Sequence, residues 1–410
     1  MVSVEKKNTS PQQEVLEKAL QVKGVSLWRD AAKRLRKNWA AMGSLYFLVV
    51  LALLITFTPL LPLQSPTELN LKDRQYQSPG FGAATLGSSE DLKFKDRSLV
   101  AELASYDEEK SNLVDQIAKE TDTEKRTELE LELATKQGIG HPFNKLWHRP
   151  GYITKALIRT RLLVFGDYCI PSLCGTDDSG RDVLSRIFWG GRVSLVVGLV
   201  ATLVSLIIGV FYGAVSGYLG GIYDAIMMRA VDILYSIPFI FVVIFLITIL
   251  TEDSNKAFLE SYGIDKIVIF YFAIGAIYWL TMSRVVRGQV LSIKNEQYID
   301  AARAIGVSTF PIVFRHVIPN VMGVVIVYLT LTIPAVMLFE AFLSFLGLGV
   351  SAPDVSWGLL VNEGVKAVTP NKIYWWLVLF PGLALAGTLF SLNFLGDGLR
   401  DALDPKMKNR

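Results

Sequence analysis

The chain has 410 residues, 51% apolar and 19% charged, with a formal net charge of +3 and a mean hydropathy of +0.38. A soluble globular domain carries about 25% charge, and several windows here have no charge over roughly 20 residues, the length that crosses a bilayer as a helix. The modest basicity, with no zinc-finger spacing and no basic stripe interleaved with aromatics, excludes a nucleic-acid binder.

In chain order, a polar Lys- and Arg-containing stretch (1–43) precedes the first apolar run. No small-residue cleavage site comes after that run, so it reads as a retained helix and not as a signal peptide. Six stretches meet the length criterion or nearly so: 44–63, 193–219, 233–250, 267–282, 317–339 and 373–395. The fourth is the weakest, bounded closely by Lys266 and Arg284 and containing Trp279. The expected fold is an all-α integral membrane protein of six transmembrane helices.

Lys and Arg bias sets the orientation. Residues 1–40 hold nine basic and four acidic side chains. The segment between spans four and five holds Arg284, Arg287, Lys294, Arg303 and Arg315 against Glu296 and Asp300. Residues 251–266 carry four acids and two bases, and the 397–410 tail mixes both signs. These place both termini and the 284–316 loop in the cytoplasm and the 251–266 loop outside.

The connection between spans one and two (64–192) is long. Its middle, 91–137, is rich in Glu, Lys, Leu and Ala and reads as surface helix, a hairpin with a small core or else a partly disordered insertion. Residues 64–82 and 347–371 look irregular. Cys169 and Cys174 are either a small-loop disulfide outside the cytoplasm or two free thiols, the latter preferred. Trp357, Trp375 and Trp376 are expected near the outer interface. Asp232 and Glu340 flank apolar spans and are costly in lipid unless paired. Both are expected near the interface, with Arg229 available to Asp232. Gly198, Gly209, Gly213, Gly217 and Gly220 permit close helix approach in and just after the second span.

The most informative polar segment is 298–306, continuing to 315–319. Ala301, Ala302 and Ala304 favour helix and present little bulk, and Gly306 falls where a short helix would stop. Pro311 then sits early in a second helical segment, and Pro319 near the entry to the fifth span. Physically this is a short helix, a turn and a second helix, which a partner surface could approach closely. A loop without a partner is the bland alternative.

Asp300, Ala301, Ala302 and Gly306 resemble the E-A-A-x-x-x-G segment of ABC importer permeases, whose coupling helix docks into a cleft on the ATPase subunit. Asp300 departs from the usual Glu by one methylene of reach. Further motifs are similar to the C-type permeases of dipeptide and oligopeptide importers. Gly175, Thr176, Asp177, Gly180, Arg181, Asp182 and Arg186 stand as in their G-T-D-x-x-G-R-D-V-L-S-R stretch. Arg229, Asp232 and Pro238 match an R-x-x-D…P element, and Arg284, Arg287 and Gly288 an R-x-x-R-G run. Residues 342–349, with Pro353, Ser356, Trp357 and Gly358, resemble L-S-F-L-G-L-G…P-S-W-G. The stretch from Asn393 to Pro405 resembles N-x-x-G-D-x-L-R-D-x-L-D-P. The motifs span about 25–65 and 170–406; the charged insertion lies outside the usual pattern.

The resemblance implies half of a translocation path for peptides in a bacterial inner membrane. It also implies a homologous second permease subunit, two ABC ATPase subunits and an external solute-binding protein, for which the insertion is the expected docking surface. Asp177, Arg181 and Asp182 are expected at the outer mouth, where the carboxylates of Asp177, Asp178 and Asp182 cap helix starts or pair with Arg181 and Arg186, or where a charged pair gates entry. No Walker A sequence is present, so the chain is expected not to be an enzyme and to need no cofactor, ATP and Mg belonging to the partner ATPases. No nucleophile–base pair is evident, and His141, His148 and His316 are too scattered for a metal set. An ion-coupled secondary transporter predicts charges at mid-membrane, which the apolar spans lack. A non-transporting scaffold leaves the 300–306 segment unexplained.

Overall fold

A computed structural model of the protein describes residues 27–67, 69, 71–72, 74–80, 88–138, 140–145, 150–166, 168–250, 252, 255, 266–350 and 354–403. The N-terminal stretch to residue 26, most of the 251–266 loop, His148, Pro353 and the tail from Asp404 lie outside them. Every regular element among the described residues is a helix, accompanied by two isolated bridges, Thr176 with Asp182 and Thr369 with Lys372.

Helix α1 (Leu27–Lys37) is amphipathic and leads into the apolar α2 (Trp39–Thr56) through Asn38, whose side chain caps α2 by accepting the Ala41 N–H at 3.2 Å. The first span stops seven residues short of the expected 63. Pro59 enters a 3-10 turn (Thr58–Leu60) and Pro62 comes soon after, and prolines deny the helix its next donors.

The insertion forms a helical hairpin, α3 (Ser88–Lys119) and α4 (Thr123–Gly138). Glu120 Oε1 closes its turn by accepting the N–H groups of Thr121 and Asp122, both at 3.1 Å. Lys136 ties α4 to Glu109 of α3 at 2.6 Å. A small core of Leu103, Phe143, Ile158 and Leu162 joins the hairpin to α5 (Tyr152–Phe165). The chain then returns to the end of the first span, where the Ile170 N–H reaches Pro62 O at 2.6 Å. Cys169 and Cys174 are not joined in a disulfide. Burial, reinforced by the nearby Asp182, pushes the Cys174 thiol up to about 12.

Helix α6 (Val183–Leu219) has 37 residues and is about 55 Å long at 1.5 Å per residue. Along it runs α9 (Lys266–Ile293), closely enough that a Cβ on Gly213 would run into Ser283 O and one on Gly209 would sit 2.6 Å from Met282 Cβ. Spacing small residues four apart keeps one helix face flat for this approach.

The expected third span is not one straight helix. It divides at Ile237 into α7 (Gly221–Ser236) and α8 (Phe239–Leu250), the break falling at Pro238, with a bend of 82° across the α7–α8 pair. The expected fourth span runs on well past 282 as α9, carrying Arg284 and Arg287 on the helix because both are paired. After α10 (Gln297–Ala304), a continuous run from Thr309 to Phe345 passes through a π-helical turn (Val313–Val317) into α11 (Ile318–Phe345). In the stretch read as irregular lies α12 (Trp357–Lys366), capped by the Ser356 hydroxyl, which accepts the Leu359 N–H at 3.1 Å. Helix α13 (Trp376–Leu403) closes the bundle. Among the described residues four helices are long and apolar enough to cross a membrane: α2, α6, the Thr309–Phe345 run and α13. The bent α7–α8 pair makes five, against the six expected.

Trp357 is fully buried, its indole N–H on Ile187 O at 2.8 Å, and Trp376 is buried with its indole N–H on Thr176 O at 3.2 Å. Those two indoles tie the starts of α12 and α13 to α6 and to the turn before it. Only Trp375 of the three is half exposed.

Candidate functional sites

Two polar sites stand at opposite ends of α6. The first is built by the turn that precedes it. Asp177 folds that turn with its own carboxylate, Oδ1 accepting the N–H groups of Ser179 and Arg181, each at 2.9 Å, as Asp side chains do in tight turns; Gly180 takes the positive φ of 77° that completes it. This leaves Oδ2 for Arg181 Nε at 2.7 Å and Arg186 Nη1 at 2.5 Å. Arg186 is only 2% exposed, and it also reaches Glu363 on α12, Nη1 to Oε2 at 2.6 Å and Nη2 to Oε1 at 3.2 Å. Asp178 stays at the exposed rim, 3.6 Å from Arg181.

Asp182 stands apart from this network. It caps α6, Oδ2 accepting the Ser185 N–H at 2.7 Å, while Oδ1 is buried without a hydrogen-bond partner. Burial raises its carboxyl pKa against the opposing pull of the Ser185 hydrogen bonds. Tyr76 locks the rim, its N–H on Asp177 O at 3.0 Å and its ring stacked on Tyr374 at 3.9 Å. Five segments thus meet at this end: residues 74–77, the 175–182 turn, α6, α12 and the start of α13. Sequence reasoning reached Asp177, Arg181 and Arg186 but missed Glu363, which lies 177 positions from Arg186 and carries no local signal.

At the other end, α10 is gripped on one side and bare on the other. Ile299 and Ala302 are buried in a core with Val210 and Ala214 of α6 and Val286 and Val290 of α9. Asp300, Ala301 and Ile305 face outward, Ile305 being 80% exposed. Gly306, at φ +80°, ends the helix: its N–H bonds Arg303 O at 3.0 Å and the Val307 N–H bonds Ala302 O at 3.1 Å, the paired bonds of a Schellman stop. Arg303 carries the connection inward. Its Nε lies 3.2 Å from the Tyr218 hydroxyl at the end of α6, its guanidinium stands over that ring at 5.2 Å, and Nη1 holds Asp300 at 3.0 Å.

Two ion pairs fasten α7 to α9 nearby. Arg287 grips Asp224 with Nε and Nη2, both at 2.6 Å, and the Ser216 hydroxyl donates to Asp224 at 2.5 Å. Arg284 takes Asp232 at 2.8 Å and lies 4.4 Å over the Tyr235 ring. The partner of Asp232 is therefore Arg284 across the helix pair and not Arg229 on its own helix.

Glu340 is fully buried within the protein, one carboxylate oxygen accepting from the Ser344 hydroxyl at 2.8 Å. Protein packing and polar neighbours, including Asn362 on Ser344 O at 3.0 Å, make such a carboxyl tolerable. His141 is buried in the insertion and His316 sits at the π-helical turn. Among the described residues no group of three or more His, Cys, Asp or Glu is placed to hold a metal ion.

Comparison with known proteins identifies the family. Residues 205–409 match the family described as binding-protein-dependent transport system inner membrane component, and residues 26–79 match the N-terminal TM domain of oligopeptide transport permease C. The chain is 39% identical to the oligopeptide transport system permease protein OppC of Escherichia coli (strain K12) over 401 residues, covering 98% of each chain. It is 53% identical to the corresponding Salmonella typhimurium protein over 232 residues, 57% of this chain and 72% of the relative. It is 44% identical to the dipeptide transport system permease protein DppC of Bacillus subtilis over 234 residues, 57% of this chain and 68% of the relative. The chain belongs to the family of binding-protein-dependent transport system inner membrane components, in its oligopeptide and dipeptide permease C branch.

Proposed function

We propose that the chain is the membrane-spanning subunit of an ATP-driven importer, forming with a homologous second permease the path for di- or oligopeptides handed over by an external solute-binding protein. The names of its relatives support peptide as the solute. On this reading the chain crosses the membrane six times, with α9 as the fourth span, so that both termini and α10 would be cytoplasmic and the hairpin insertion would lie outside as a docking surface for the binding protein.

One observation carries the mechanism: α10 buries Ile299 and Ala302 in the bundle while offering Asp300, Ala301 and Ile305 outward. An ATPase subunit seated on that outer face would move α10, and Arg303 with Tyr218 would pass the movement to α6. The Asp224–Arg287 and Asp232–Arg284 pairs would carry α7 along with α9. At the far end of α6, the Asp177–Arg186–Glu363 network would act as the outer gate, with Arg181 and Asp182 shaping its turn. ATP and Mg would be held by two partner ATPases, and the two packed states need differ by only a few kcal/mol.

The test is mild-detergent purification of the chain from its native membrane. Recovery of a P-loop ATPase and a second permease supports the reading. Recovery of the chain alone, repeated after crosslinking in intact membranes, sinks it.

A further inference from the structure

Helix α5 has two unlike sides. Thr154, Ile158 and Arg161 are buried against its neighbours, while Tyr152, Ile153, Leu163 and Val164 are 93, 79, 87 and 66% exposed. At about 100° per residue these four, with Ala156 and Thr160, share one face. The apolar stripe runs the length of the helix, and no described residue covers it.

Cations line one edge of that stripe. Arg159 borders it, Lys155 stands next along, and a cavity of about 390 Å³ opens there between α5 and α3, its wall including Lys110, Lys155, Arg159, Tyr106 and Tyr152. Arg159 has Asp107 at 3.0 Å. Among the described residues Lys110 and Lys155 have no carboxylate at ion-pair distance, and Lys155 makes only a long contact to Gln137 O at 3.4 Å. Burial, then the charges of Lys110 and Arg159, lowers the Lys155 pKa. Uncompensated like charges around a cavity mark a place for an anion.

The setting of α5 selects the anion's source. Its C-terminal end is bolted to the short segment that follows the first span: Arg161 Nη2 lies 3.0 Å from Cys169 Sγ, and Cys169 reaches Leu63 O at 3.7 Å. Phe165 and Tyr168, 40 and 58% exposed, extend the apolar surface to that junction. A stripe beginning where a span ends, edged by long cationic side chains, has the pattern of a helix lying in a membrane interface. A soluble anion would account for the cavity and leave the stripe bare; a bilayer accounts for both.

We propose that α5 lies in the membrane–water interface beside the end of the first span, and that the Lys110–Lys155–Arg159 cavity holds the phosphate of an anionic phospholipid. This rests on the permease reading for the presence of a bilayer, and on nothing about the solute.

The full chain, exchanged through vesicles of phosphatidylcholine with or without phosphatidylglycerol and gently re-extracted, is assayed for retained lipid by native mass spectrometry. Retention of phosphatidylglycerol is expected, falling about tenfold in the Lys110→Gln/Lys155→Gln variant with its thermal melting unchanged. Equal retention by both proteins, or equal retention of phosphatidylcholine, overturns the proposal. A photo-crosslinking benzoylphenylalanine in place of Tyr152 checks the stripe in native membranes. Adducts to phospholipid support the placement, and adducts to the solute-binding protein or the second permease overturn it. Should the importer co-purify without retained lipid, this proposal fails alone; retained lipid on a chain without ATPase partners would fail only the importer reading.

Discussion

Arg186 and Glu363 form a two-pronged ion pair, Nη1 to Oε2 at 2.6 Å and Nη2 to Oε1 at 3.2 Å, between the start of α6 and the middle of α12. The same Nη1 holds Asp177 at 2.5 Å, so one buried guanidinium joins a turn, a span and a short helix. Arg186→Met takes the two-pronged partner from Glu363 and leaves Asp177 with Arg181 alone, a loss of about 3 kcal/mol for a broken buried pair. Glu363→Gln keeps one hydrogen-bond acceptor at a partly exposed position and should lose about 1 kcal/mol. Arg186→Lys keeps the charge without the fork and should fall between. Melting temperatures of the purified chain in detergent give the ranking; an Arg186→Met protein as stable as the parent would remove the network as a structural joint.

Gly306 sits at φ +80° with open space where a Cβ would go. Gly306→Ala therefore meets backbone strain and no clash, a cost of about 1–2 kcal/mol. Peptide uptake should fall while the amount of chain in the membrane stays level. Ile305→Asp alters only the outer face of α10 and should weaken retention of the ATPase in pull-downs. Unchanged retention would argue against that face as the docking surface.

Asp224 and Arg287 hold α7 to α9 through two bonds of 2.6 Å. Asp224→Asn and Arg287→Gln should each reduce uptake, and the exchanged pair Asp224→Arg/Arg287→Asp should recover part of it. A double-mutant cycle on melting should show a coupling of about 1–3 kcal/mol, as for groups in direct contact. Additive losses would mean the two residues act separately.

His141 supplies a pH dependence. Burial first, then the charges of Lys155 and Arg159, lowers its pKa to about 4, against about 6.5 for an unperturbed histidine. Between those values the unfolded chain binds more protons than the folded one, so the insertion should be fully stable above pH ~6.5 and lose stability as pH falls toward ~4. Limited proteolysis of the hairpin at stepped pH reads this out directly. His141→Phe keeps ring contacts with Tyr106 and Phe143 (both at 4.8 Å in the parent) and should flatten the profile, at the expense of the acceptor for the Phe143 N–H.

Much of this was legible along the chain. Charge-free windows located α2, α6, α11 and α13, because lipid admits only helices long and apolar enough to satisfy their own backbone. The alanines and glycine of 300–306 marked a short helix and its stop, and Asp177 with Gly180 marked a turn before α6. These signals are local: each depends on residues within a few positions of one another.

What the sequence could not determine was which distant residues meet. Glu363 for Arg186, Tyr218 for Arg303, Arg284 for Asp232, and the burial of Trp357 and Glu340 result from the way the helices pack. So does the 82° bend at Pro238, since a proline permits a break without choosing its angle. Composition and periodicity determine which segments are helices and which enter the membrane. Partners and burial come from packing, where close approach at Gly209 and Gly213 brings α6 against α9 and selects which polar groups must pair.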